Sequence, residues 1–271
     1  MNTLTRSPIR CVALDFDLTM FDYSRPHDTR VLVPWFQRLH DAGVMVGIAS
    51  GRTLENLNAE LRGIDISWRE PFPQFVIHEE FYIHWPDAPE PEEVRQWNQA
   101  CALSVKELCR EIRPYFDSCA AQMDALGIGI EYAVAETNGG VTLVLENPAG
   151  AERARLLLEQ MIPSAARARI SRNHHILLAT PAEYHKGSAL DRLRVLGGLE
   201  PRDVLAIGDN LNDLAMIDES LGFRCATVLN ADPMVQNAVA GRRGLQATRP
   251  IAFGIAELFD SIFDELAASG V

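Results

Sequence analysis

The chain has 271 residues, 47% hydrophobic and 23% charged, with 25 Lys plus Arg against 37 Asp plus Glu and a net charge of −12. That length suits one large domain or two small ones, and the composition is that of an ordinary globular chain. The acidic surplus repels polyanions, and Arg242-Arg243 is only a pair, so nucleic-acid binding through phosphates is not expected; no uninterrupted apolar stretch is long enough to span a bilayer.

The opening MNTLTRSPIR lacks the apolar core of a secretory leader. Cys11–Leu14 reads as a strand buried on both faces. It runs into Asp15 and Asp17, two residues apart. Like charges this close repel, and burial makes the repulsion worse. The pair therefore implies a positive partner between the two acids, or a proton kept for use. Leu32, Val33, Phe36 and Leu39 predict a helix over Thr29–Ala42, stopped by Gly43. Val44–Ala49 reads as a strand, Thr53–Arg62 as a helix and Phe75-Val76-Ile77 as a short third strand. This alternation predicts a parallel sheet with helices on its faces.

The texture changes at Pro86–Glu93, a linker rich in proline and acid. Val94, Trp97, Cys101, Val105, Leu108, Ile112, Tyr115, Cys119, Met123 and Leu126 then recur at steps of three or four. That spacing marks one helix face. Pro114 is expected to split the segment into two helices or to kink it. Ile128–Ala135 and Val141–Glu146 read as strands around the turn Asn138-Gly139-Gly140. Ala151–Ile162 reads as a helix, and Ala168–Ser171 and Ile176–Ala179 as two further strands. A separate α+β unit over 85–181 is thus inserted into an α/β fold made of 1–84 and 182–271. The second half of that fold follows as Gly187–Leu196 (helix), Val204–Ile207 (strand), Leu214–Ile217 (helix), Cys225–Leu229 (strand), Val235–Ala240 and Ile255–Ala268 (helices). The five cysteines are odd in number and lack CxxC spacing. They read as buried thiols in a reducing compartment, so a cytoplasmic location is expected. The sequence leaves the oligomeric state open.

Four short stretches follow a strand or open a helix, where open parallel sheets place their ligands. They are Asp15-Phe16-Asp17-Leu18-Thr19, Ser50-Gly51-Arg52, Lys186-Gly187 and Gly208-Asp209-Asn210-Leu211-Asn212-Asp213. Singly, each has an ordinary explanation as a turn, a cap or a solvated loop.

Together and in this order they resemble the haloacid dehalogenase-like superfamily of phosphohydrolases. The likeness is to its Cof-type, sugar-phosphatase-like branch, in which a large α+β cap is inserted between the second and third motifs. It extends over essentially the whole chain, including LNADPMVQNAV near the end. The resemblance implies a Rossmann-like doubly wound parallel sheet with an inserted cap. It implies a Mg²⁺-dependent phosphatase that hydrolyses a small phosphorylated metabolite through an aspartyl-phosphate. Asp15 would be the nucleophile. Asp17 would give a proton to the leaving oxygen and then take one from water. The implied Mg²⁺ ligands are the Asp15 and Asp209 side chains and the Asp17 backbone carbonyl, with Asp213 acting through water. Ser50, Lys186 and Asn212 would hold phosphoryl oxygens. An insert that covers the site carries selectivity, with Arg172 as the leading residue.

Two departures stand out. Leu18 replaces the glycine usual in this branch and is expected to narrow the leaving-group side of the entrance. Glu79 and Glu80 stand where the branch commonly has Asn-Gly. They read as a solvated hinge, or as acids that alter substrate choice or hold a second cation. His174-His175 has no third ligand at metal spacing and reads as a turn. The nearest alternative activity is a phosphomutase or phosphotransferase acting on sugar phosphates. A receiver-like domain would be about half this size, with its acceptor Asp on a later strand. A silent metabolite-binding protein would have lost Asp15, Asp17 or Asp209, and all three are present.

Overall fold

The computed structural model describes residues 8–68 and 71–268. Most of the amino-terminal stretch read above for a leader lies outside them. In chain order the elements are β1 (Cys11–Leu14), α1 (Val33–Asp41), β2 (Met45–Ala49), α2 (Leu54–Gly63), β3 (Val76–His78) and β4 (Tyr82–His84). Next come α3 (Glu92–Ala125), β5 (Ile130–Thr137), β6 (Gly140–Leu145), α4 (Pro148–Met161), β7 (Ala168–Asn173) and β8 (Ile176–Pro181). The chain then forms α5 (Lys186–Leu196), β9 (Val204–Ile207), α6 (Leu214–Ile217), β10 (Arg224–Thr227), α7 (Pro233–Gly241), β11 (Leu245–Gln246) and α8 (Ile251–Ala268).

The central sheet runs β11-β10-β9-β1-β2-β3-β4. Its neighbours pair in parallel except for β4, which lies antiparallel to β3. The strand order turns around at β1: β2 and β3 lead one way, β9, β10 and β11 the other. A crevice opens at such a reversal, at the carboxyl ends of the strands. β1 is buried along its whole length. Val12 and Leu14 face one core with Phe36, Leu57 and Phe259, while Cys11 and Ala13 face the other with Leu190 and Leu193. Each large apolar side chain buried this way contributes about 1.5–3 kcal/mol, so β1 is a firm base for the acids that follow it.

The four-stranded antiparallel sheet β5-β6-β8-β7 lies between the two halves of this fold in sequence. Val141, Leu143, Leu145, Leu177 and Ala179 of this sheet share a core with the buried stripe of α3 and with Ala154 and Leu158 of α4. Thr142, Ser171 and Leu178 face a cleft against the central sheet.

Some expectations change. Of the two outcomes expected at Pro114, a split or a kink, the split does not occur, since α3 is helical from Glu92 to Ala125. An interior proline costs about 3 kcal/mol, and the buried stripe on either side of it, from Val94 to Met123, offsets that cost. The helix over Thr29–Ala42 becomes a 3₁₀ turn, Pro26–Leu32, and then α1. Pro34 lies in the first turn of α1, where a missing N–H costs nothing. β4 and β11, of three and two residues, are further short strands that the sequence reading does not include.

Candidate active site

The carboxyl ends of β1, β2 and β9 are neighbours in the sheet, and each carries a polar residue that the sheet buries. Asp15 follows β1, Ser50 follows β2 and Asp209 follows β9, and each is 5% exposed or less. The Asp15 N–H donates to the Ile207 carbonyl at 2.9 Å, and the Ser50 N–H to the Ile77 carbonyl at 2.8 Å. The strand ladder thus sets both side chains. Lys186 is the first residue of α5. Its helix start is fixed by His185, whose Nδ1 accepts from the Ser188 N–H at 3.1 Å while Ser188 Oγ accepts from the His185 N–H at 3.0 Å. Burial, and then the neighbouring Arg169, push His185 down to about 4, so its ring stays neutral and able to accept. Gly187 lets α5 approach closely, since a Cβ there would lie 1.9 Å from the Ala215 carbonyl oxygen.

Residues far apart in the chain meet here. Lys186 Nζ lies 2.6 Å from Asp15 Oδ1 and 2.7 Å from Asp213 Oδ1. Asp213 Oδ2 accepts from the N–H groups of Asp209 and Asn210, both at 3.0 Å. Thr19 Oγ1 donates to Asp209 Oδ1 at 2.7 Å. Asp15, Asp209 and Asp213 each offer a carboxylate oxygen within 4.8 Å of the others. Burial, and then Asp213, push Asp15 well above the usual carboxylate range, against the pull of Lys186. The same two causes push Asp209 up to about 7. Burial alone would lower Lys186, but Asp15, Asp213 and Glu80 outweigh it and hold the ammonium well above its ordinary value. Lys186 thus pairs with two of these buried carboxylates, Asp15 and Asp213, while the close partner of Asp209 is the neutral Thr19 hydroxyl. An all-oxygen donor set short of positive charge suits a hard divalent cation.

A cleft of about 370 Å³ adjoins this cluster, between the central sheet and the inserted one. Asp17, Arg52, Glu80 and Asn212 line it on one side, and Thr142, Ser171, Asn173 and Leu178 on the other. Asp17 is turned toward Arg52, whose Nε lies 2.9 Å from its carboxylate, and it also accepts from the Tyr23 hydroxyl. Asn212 donates to Glu80 at 3.1 Å. Ser50 Oγ accepts from the Arg52 N–H at 3.2 Å.

Asp15, Lys186, Asp209 and Asp213 come together, Ser50 sits on the adjacent strand end, and Asp17 and Asn212 face the cleft. Arg172 and Leu18 are not among the described residues that line it. Arg172 alternates with Ser171 and Asn173 along β7 and turns away from them, 3.2 Å from Glu152 and 3.8 Å from Asp232. Leu18 adopts the left-handed backbone, φ 58°, and its carbonyl accepts from Asn230 Nδ2 at 2.8 Å. A left-handed φ is what a glycine at this position would adopt without strain. Sequence spacing assigns no role to Arg52. Arg52 stood in plain view beside Ser50, but the reach of a long side chain is not written in spacing.

Residues 137–241 match the family described as haloacid dehalogenase-like hydrolase. A phosphoglycolate phosphatase of Methanothermobacter thermautotrophicus is 52% identical over 54 residues, which are 20% of this chain and 24% of that protein. A Bacillus subtilis 5-amino-6-(5-phospho-D-ribitylamino)uracil phosphatase is 44% identical over 59 residues, 22% of this chain and 20% of that protein. The alignments thus span a quarter or less of these curated relatives. Among solved structures, the sucrose-phosphatase from Synechocystis sp. PCC6803, in complex with sucrose and phosphate, superposes with a TM-score of 0.68 at 15% identity, over 94% of this chain and 98% of that one. A phosphatase of the haloalkanoate superfamily from Bacteroides thetaiotaomicron gives 0.61 at 14% identity, over 95% of each chain. The segment that matches the haloacid dehalogenase-like hydrolase family carries Lys186, Asp209 and Asp213, and the fold of nearly the whole chain is shared with these solved phosphatases.

Proposed function

We propose that the protein is a divalent-cation-dependent phosphatase of a small phosphorylated metabolite, working through an aspartyl-phosphate on Asp15. The observation that carries this reading is the junction of Asp15, Lys186 and Asp213 at 2.6 and 2.7 Å, with Asp209 in the same cluster. Phosphoryl transfer needs little covalent work from a protein and depends mostly on positioning and charge. Asp15 attacks phosphorus through a carboxylate oxygen. Lys186, already beside Asp15, exchanges its carboxylate partners for phosphoryl oxygens. Ser50 and Asn212 hold the remaining oxygens.

Asp17 hands its proton to the leaving oxygen and then takes one from the water that cleaves the intermediate. To do so it leaves Arg52, which lines the same cleft. Asp15, Asp209 and the Asp17 carbonyl would hold Mg²⁺, with Asp213 acting through water. When bound, the cation supplies the charge neutralisation that lets an anionic ester approach these acids. The inserted unit, 85–181, forms the far wall of the cleft and selects the leaving group, through Ser171 and Asn173 rather than Arg172. The five free, buried cysteines support a cytoplasmic setting. No described helix is long and apolar enough to cross a membrane. The net charge of −12 favours a small molecule over a nucleic acid as partner.

The test is phosphate release from a panel of sugar, glyceryl and nucleotide phosphates, with Mg²⁺ and with EDTA. Release from at least one ester, lost in EDTA and restored by Mg²⁺, is the expected result. Transfer to a second hydroxyl without release of phosphate moves the assignment to a phosphotransferase. Equal release with and without the cation removes the metal from the account.

A further inference from the structure

Glu79 and Glu80, between β3 and β4, have φ values of 46° and 76°. Both lie in the left-handed region, where a residue other than glycine costs on the order of 1–3 kcal/mol. Two in succession persist only where the surroundings hold them. Glu80 is 6% exposed, its Oε1 accepts from Asn212 Nδ2 at 3.1 Å, and Lys186 and Arg169 are its cationic neighbours. Gly51 makes the room, because a Cβ there would lie 2.6 Å from Glu80 Oε1.

A buried carboxylate is expensive to maintain, and nothing in the fold of β3 and β4 calls for one. Beside it, Asn212 Oδ1 is buried without a hydrogen-bond partner. Both residues line the cleft. The wall next to the phosphoryl site therefore presents one acceptor without a donor, Asn212 Oδ1, beside the buried Glu80 carboxylate. The turn Asn138–Gly139 of the inserted unit closes over this wall, with the Tyr82 hydroxyl donating to the Asn138 carbonyl at 3.0 Å.

We propose that Glu80 is a specificity-determining residue which, together with Asn212 Oδ1, accepts hydrogen bonds from hydroxyl groups on the substrate carbons beyond the one that bears the phosphate ester. The inference rests on the phosphatase reading of the site. A site built around a donor on the substrate rejects an analogue lacking it, because its own buried acceptor is then left unpaired.

The test compares kcat/KM for glycerol 3-phosphate and n-propyl phosphate, which differ in their hydroxyls alone. Wild type should favour the glyceryl ester by about 100-fold or more. Glu80→Gln keeps the shape and an acceptor for Asn212 but loses the charge and turns half of its head group into a donor. It should compress the ratio by about tenfold or more. A purely structural role for Glu80 would depress both esters together and leave the ratio unmoved. A wild-type ratio near one, or a ratio unchanged in Glu80→Gln, overturns the inference and leaves the phosphatase reading standing. If Glu80→Gln does not fold, the wild-type ratio decides alone. No phosphate release by wild type from any ester of the wider panel removes the phosphatase reading, and this inference with it.

Discussion

Asp15→Asn should abolish phosphate release while leaving the protein at least as stable as wild type. Removing the nucleophile of a covalent mechanism costs on the order of 10⁴-fold or more in kcat. The stability effect has the opposite sign. Burial and Asp213 oppose ionisation of Asp15, which already sits well above the usual carboxylate range. An amide of the same shape removes that repulsion and still accepts from Lys186 Nζ, now 2.6 Å from Asp15. Functional sites commonly show this exchange of stability for activity. Steady-state release and a thermal melt on the same preparation check both halves. Turnover within tenfold of wild type defeats the nucleophile assignment; a large fall in melting temperature defeats the electrostatic one.

Lys186→Met should destabilise the protein by about 3–5 kcal/mol near neutral pH, because removing one partner leaves buried charges uncompensated. The loss should depend on pH in a definite direction. The Asp209 carboxyl is raised from 3.8 to about 7, first by burial and then by Asp213. The folded state thus binds that proton more tightly than the unfolded chain does. This contribution is fully present below about pH 4 and is lost as pH rises through 7. Asp15 is raised in the same sense. Without the ammonium both move further up. The deficit of Lys186→Met should therefore be small at pH 5 and largest at pH 8, and Mg²⁺ should recover part of it at pH 8. Urea unfolding at the two pH values measures this. An equal deficit at both would show that Lys186 acts by packing, not charge.

The ordering of these effects explains what the sequence made legible. Asp15, Ser50, Lys186 and Asp209 sit at strand ends or at a helix start, and local pattern marks such places. Cys11–Leu14 is buried throughout, so its apolar run had one reading. β7 is different: all six of its residues are partly buried, so no alternation marks which of its side chains look into the cleft. Glu80 carries two readings from sequence, a solvated hinge or an acid that alters substrate choice, and spacing does not decide between them. Acids in a hinge read as solvated, and the contact with Asn212 joins residues whose separation no spacing rule spans. Pro114 in α3 shows local propensity giving way to the packing of a long apolar stripe.

The central claim is that these dispersed residues enclose one phosphoryl group and one cation. A crystal structure grown with Mg²⁺ and orthovanadate tests it most directly. The account predicts vanadate joined to the Asp15 carboxylate, with Ser50 and Lys186 on its oxygens and Mg²⁺ held by Asp15 and Asp209. Lys186 still bridging Asp15 and Asp213, with the oxyanion or the cation seated elsewhere, would contradict it.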